Sequence, residues 1–254
     1  MLNFIEISDI INTNAFERWF NIMETVRNLT CKEMRQRGKA SLKNKWGIAI
    51  GVTIIYVLIV IALSVLPQVM QISKMKSLAV IGITVLLISI ISFAVQAALV
   101  LGLNNCFIKI VKGEEAGVGT LFSRFNYILK ATGLLLLMTI KAFLWSLLFV
   151  IPGIVAAYRY SLAMYLMAED PEMGVVEAID KSKEIMKGKK GRLFTLQLSF
   201  IGWFILGALT CGILNLFYVT PYYQSAIAVF YNIAKNEGKE EQKEVPIKEE
   251  EPAK

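Results

Sequence analysis

The chain has 254 residues, 56% of them apolar, with no histidine and a formal net charge of +7; its mean hydropathy is +0.56. The apolar residues gather into uncharged blocks of the length that crosses a bilayer, about 20 residues, which excludes an ordinary soluble enzyme. Without histidine the chain lacks the usual near-neutral general base and the commonest metal ligand, and Cys31, Cys106 and Cys211 show no paired spacing, so free, mostly buried thiols are expected and neither a metal nor a cofactor.

Residues 1–29 carry scattered apolar positions (Phe4, Ile10, Phe16, Trp19, Phe20) without a continuous apolar core. They are expected to form either a helix on the membrane surface or a poorly ordered extension. Lys32, Arg35, Arg37, Lys39, Lys43 and Lys45 then precede the first apolar block, as in a cytoplasmic anchor. The first span is predicted over 46–66, opened by Trp46 and closed by Pro67. A connector with Lys74 and Lys76 leads to an uncharged block over 78–108, which at 1.5 Å per residue exceeds a hydrocarbon core of about 30 Å. Lys109, Lys112, Glu114, Glu115, Arg124 and Lys130 populate the next connector, where 120–129 reads as a short interfacial helix.

A third span is predicted over 131–150 and a fourth over 154–168, joined by Ile151-Pro152-Gly153, a pair of residues that does not simply continue a helix. Asp170-Pro171 reads as a helix start, with a capping carboxylate and proline at the first helical position. Met173, Val176, Ile179 and Met186 repeat at helical spacing, giving an amphipathic helix that ends near Gly188. After Lys187, Lys189, Lys190 and Arg192 there is no charge over 193–234, which divides at Cys211-Gly212 and Asn215 into spans over 193–212 and 216–234. The lysine- and glutamate-rich tail over 235–254 is too polar to bury a core and is expected to be disordered.

The expected fold is therefore all-α, a polytopic integral membrane protein with six transmembrane helices over 30–234 and amphipathic interfacial helices. Lysine and arginine crowd the amino-terminal segment and the connectors after spans two and four, so the positive-inside rule puts both termini in the cytoplasm. The positive charge suits anionic phospholipid headgroups and is no argument for nucleic acid.

The order of R-G-K-A-S-L-K-N-K-W-G (37–47), I-P-G-I-V-A-A-Y-R-Y-S (151–161), A-E-D-P (168–171), S-K-E-I-M-K-G (182–188), L-S-F-I-G-W (198–203) and P-Y-Y (221–223) resembles domain-of-unknown-function family 975, bacterial integral membrane proteins. The resemblance implies a six-helix membrane protein with no established biochemical activity. A more distant likeness is to the membrane domain attached to some glycerophosphodiester phosphodiesterases; it implies no catalytic residue, because that chemistry belongs to a separate soluble domain.

Lys141 and Arg159 stand in adjacent arms of one predicted hairpin, and no aspartate or glutamate lies within a span to neutralise them. One reading is a cationic pocket for an anionic group such as a lipid phosphate, with Tyr158, Tyr160, Tyr165, Tyr222, Tyr223 and Gln224 as hydrogen-bonding groups. The other is that both cations snorkel to the headgroups or bond free carbonyls. Gln96, Asn104, Asn105, Gln197, Ser199 and Asn215 are weaker candidates for a polar path. The expectation is a non-enzymatic binding or structural protein of the bacterial cytoplasmic membrane, handling or sensing lipids or supporting the envelope under stress. The alternative is a small transporter or partner-dependent permease subunit; anionic lipids, a second copy or another membrane protein are the partners foreseen.

Overall fold

The structure, a computed structural model, describes residues 31–72 and 78–244. The expectations for 1–29, for Lys74 and Lys76, and for the end of the tail lie outside these residues. The described chain is helical throughout, without a strand: α1 (Cys31–Ser41), α2 (Trp46–Ile72), α3 (Leu78–Lys112), α4 (Val118–Phe122), a 3₁₀ turn (Phe125–Tyr127), α5 (Ile128–Leu148), α6 (Val150–Tyr160), α7 (Ala163–Glu169), α8 (Val175–Ile185), α9 (Lys190–Leu198), α10 (Ile201–Leu209), a π turn (Asn215–Val219) and α11 (Thr220–Glu244).

Among the described residues five stretches are long and apolar enough to cross a membrane: Trp46–Val65, Gly82–Lys112, Val118–Leu147, Val150–Glu169 and Lys190–Leu209. The sixth predicted span exists as a helix but lacks their apolarity, and its surroundings explain why. Ala226, Ala228, Phe230 and Tyr231 of α11 are fully buried, so this helix meets protein rather than lipid and tolerates tyrosine, serine and glutamine. It also continues past Ala234, and Glu237 is buried in the folded body.

Burial divides the bundle into two ends. At one, the second half of α3, α7, α11 and the basic helix α1 pack into a single core that includes Phe107, Met167, Tyr231, Met34 and Leu42. The segment expected as a mere anchor is thus structural: Ser225 Oγ donates 3.1 Å to the Gly38 carbonyl. At the other end apolar side chains face outward, among them Leu58, Ile61, Leu86, Ile90, Phe143, Leu147, Ile151, Ile205 and Leu209. Water would not tolerate such a surface, whereas lipid provides its natural surroundings.

Several predicted boundaries shift. α2 runs through Pro67 to Ile72, because neighbouring groups in a membrane bundle can offset the one hydrogen bond that proline removes. The interfacial helix over 120–129 is instead α4, the 3₁₀ turn and the start of α5. The reversal between α5 and α6 falls at Phe149, whose backbone is extended (φ −157°, ψ 147°), and Pro152 sits in the first turn of α6, where its missing N–H costs nothing. Gly153 is what closes this hairpin, since a Cβ there would stand 1.9 Å from Ser146 Oγ and 2.7 Å from Ser146 Cα. Asp170 does not open a helix; its carboxylate accepts the Glu172 N–H at 3.2 Å in a turn, and α8 begins at Val175. α8 does end as expected, with Gly188 at φ +71°. Of the thiols, Cys106 is buried, Cys31 partly so and Cys211 exposed.

Candidate functional site

The most connected polar group is Glu169, at the end of α7. Its Oε1 accepts Lys112 Nζ from α3 at 2.7 Å, while Oε2 takes Lys235 Nζ and the Tyr231 hydroxyl, both from α11. Tyr231 stacks on Tyr165 with ring centroids 5.5 Å apart. One carboxylate therefore joins three helices and faces two ammonium groups, leaving the cluster with a net positive charge. Its partners lie 57 to 66 residues away along the chain, and no local pattern announces them.

The eight predicted site residues fall in separate places. Tyr158 donates to Gln197 Oε1, and Gln197 Nε2 donates to the Tyr223 hydroxyl at 3.0 Å. Tyr165 donates to Gln224 Oε1 at 3.2 Å. These side chains and Gln197 make two half-buried polar contacts, one between α6, α9 and α11 and one between α7 and α11. Tyr222 turns away, packing edge-on against Phe200 at 5.0 Å and beside Tyr218 at 5.8 Å. Lys141 Nζ lies 6.0 Å from the centre of the Tyr160 ring and within electrostatic range of Asp180 on α8. The Arg159 guanidinium makes no hydrogen bond or ion pair among the described residues, although its carbonyl accepts Ser182 Oγ at 3.0 Å. Successive helical residues point about 100° apart, so Tyr158 and Tyr160 cannot line the same face.

The weaker candidates do not form a path either. Gln96 lies with Ser64, Ser89 and Ser92 in an open groove of about 230 Å³ between α2 and α3. Asn105 bonds Ser123 and Arg124, each at 3.4 Å, and the Ser199 carbonyl accepts Arg35 of α1 at 3.2 Å. Asn215 Oδ1 is buried without a partner beside Gly207.

The described basic connectors meet at the packed end. Lys45 Nζ bonds the Glu114 carbonyl at 2.7 Å, Lys130 pairs with Glu172 at 3.3 Å, and Arg192 Nη1 reaches both oxygens of Glu237 at 2.9 Å. The Tyr127 hydroxyl, followed by Lys130, holds Glu172 below the ordinary carboxylate range. Lys181 and the Gly174 N–H do the same for Glu177, and Lys183 for Asp180. Lys32, Arg37, Lys39 and Lys43 remain exposed on and just after α1, a cationic face without counter-charges of equal number. No three metal-ligating side chains gather among the described residues.

Helices throughout the described residues, with five apolar stretches fit to cross a bilayer, one end packed and charged and the other apolar on its surface, define an all-α integral membrane protein. Residues 147–237, from the hairpin tip through the core of α11, match the family described as "Protein of unknown function (DUF975)". No curated protein and no solved structure matches the chain, and the likeness to phosphodiesterase membrane domains has no counterpart in these comparisons.

Proposed function

We propose that this is a non-enzymatic binding or structural protein of the bacterial cytoplasmic membrane, with both termini on the cytoplasmic side and anionic phospholipids as its ligand. The observation that carries the reading is the convergence of α1, the α3–α5 connector, the α7–α9 connector and the end of α11 on one charged end. Basic segments are retained on the cytoplasmic side, and each lysine or arginine near an anionic surface adds about 1 kcal/mol of attraction. The exposed cations of α1 and the unpaired guanidinium of Arg159 are the groups best placed to meet phosphates.

Native mass spectrometry of the protein purified in mild detergent tests this. Anionic lipid retained in preference to zwitterionic lipid is expected, reduced in Arg159→Leu and in the pair Arg37→Gln, Lys39→Gln. Equal retention of both lipid classes by the unaltered protein would refute it.

A further inference from the structure

The residues that mark the membrane interface in two hairpins stand too close to the hairpin tips for either hairpin to cross. α8 exposes Glu177, Asp180 and Lys181, with side chains 47% to 54% accessible, so it lies in water or among headgroups. This helix packs along α5 and α6: Asp180 is in range of Lys141, and Ser182 bonds the Arg159 carbonyl. Lys141 and Arg159 must therefore lie at the edge of the hydrocarbon. From Lys141 to the reversal at Phe149 is eight residues, about 12 Å of helix, and from Arg159 ten residues, about 15 Å. Hydrocarbon is about 30 Å thick.

The second hairpin gives the same answer from different contacts. Trp46, which opens α2 directly after Lys45, stacks on Tyr218 with centroids 5.4 Å apart and planes 8° from parallel. Trp203 packs on the same ring at 5.3 Å, an aromatic cluster of the kind that sits at membrane interfaces. Tyr218 is only seven residues from the tip at Cys211, which reaches at most about 10 Å deeper. Ser199 meets Arg35 of the basic helix and is twelve residues, about 18 Å, from that tip. By contrast α2 has 27 residues and α3 has 35, about 40 and 52 Å.

We propose that only α2 and α3 traverse the bilayer, and that the α5–α6 and α9–α11 hairpins dip into the cytoplasmic leaflet and return, taking the phospholipids of that one leaflet as their partner. Two crossings keep both termini on one side, as six would. The exposed side chains around Phe149 and Cys211 lie among acyl chains, and Lys141 and Arg159 lie at the phosphates of the same lipids. Such insertion adds volume to one leaflet alone, so the hairpins bind most readily where that leaflet is stretched.

The proposal takes its leaflet from the orientation given above, and cysteine accessibility separates the two. Native Cys211, and Phe149→Cys in a Cys211→Ser background, are compared with Ser73→Cys in the α2–α3 connector, each with Cys31 and Cys106 replaced by serine. In intact cells a membrane-impermeant maleimide should label Ser73→Cys. It should label both tips at least about tenfold more slowly from either side of the membrane, because a thiol in hydrocarbon neither meets the reagent nor ionises, and detergent should remove the protection. Tips labelled from outside as fast as Ser73→Cys would establish full crossings, and tips labelled freely from the cytoplasmic side would exclude insertion; either overturns the proposal. Labelling of Ser73→Cys from the cytoplasmic side alone, with protected tips, would overturn the orientation and leave the shallow hairpins standing. Protection of both cysteines is the required result.

Discussion

Replacing Gly102 with alanine puts a methyl carbon 1.8 Å from the carbonyl oxygen of Leu121 and 2.7 Å from its carbonyl carbon. Ordinary contact begins at 3.4 Å, so the backbones of α3 and α4 must part by about 1.6 Å. The obstacle is a peptide group, which has no rotamer to offer, and Leu101, Leu103 and Leu121 around it are buried. Overpacking of a tight core costs about 1 to 3 kcal/mol, and a backbone obstacle belongs at the upper end. Alanine in place of glycine returns about 1 kcal/mol of helix propensity, leaving a net loss of about 2 kcal/mol. For a chain of this size that lowers the melting temperature by about 4 to 8 °C. Thermal unfolding in detergent, read by fluorescence-detected size exclusion, measures it. Gly82→Ala, with nothing within 4 Å of the added carbon, is the comparison and should hold or gain stability. Gly102→Ala melting at or above Gly82→Ala would refute the close approach of α3 to α4.

Glu169→Gln should cost about 1 to 3 kcal/mol in the same assay, since it leaves Lys112 and Lys235 facing each other across a neutral amide; adding Lys112→Met should recover part of the loss, and strict additivity would argue against the hub. Tyr158→Phe removes one hydrogen bond to Gln197 and should cost about 1 kcal/mol, with little further loss when Gln197→Leu is combined with it. Glu172, Glu177 and Asp180 have folded-state values held below their unfolded ones. Their contribution is complete above the unfolded carboxylate range of about 4 and is lost as pH falls through the lowered values. With no histidine in the chain, the melting temperature should be flat from pH 6 to 8 (about the range where only histidine ordinarily titrates) and fall in acid; a transition near pH 6.5 would contradict this.

Much of the fold was legible because uncharged blocks and basic connectors follow from the solvent on each side. Trp46, the hairpin near Pro152 and the end of α8 at Gly188 stand close to their predicted places. The turn at Phe149 was not legible, since proline serves equally in a reversal and in the first turn of the helix that follows. The burial of α1 was written in Met34, Gly38 and Leu42, one face at four-residue spacing, but the surrounding lysines and arginines drew attention to the opposite face. The eight residues named for a pocket lie in several places for a simple angular reason. Tyr158, Arg159 and Tyr160 point three ways, so their partners Gln197, on one side, and Lys141, on another, could only be told apart once α9 and α5 were in position. Glu169 was hidden because its significance depends on residues brought together from three distant stretches.

Among the described helices, the one that fills the middle of the packed end comes last in chain order. Until Thr220–Glu244 leaves the ribosome, Glu169 has no Lys235 or Tyr231, and α1 has no surface against which to lay Met34 and Leu42. The earlier hairpins therefore surround an unfilled cleft until α11 follows them, and the docking of that helix, rather than entry of any earlier segment, locks assembly. A stop codon before position 220 should yield a product that reaches the membrane yet is cleared by its proteases.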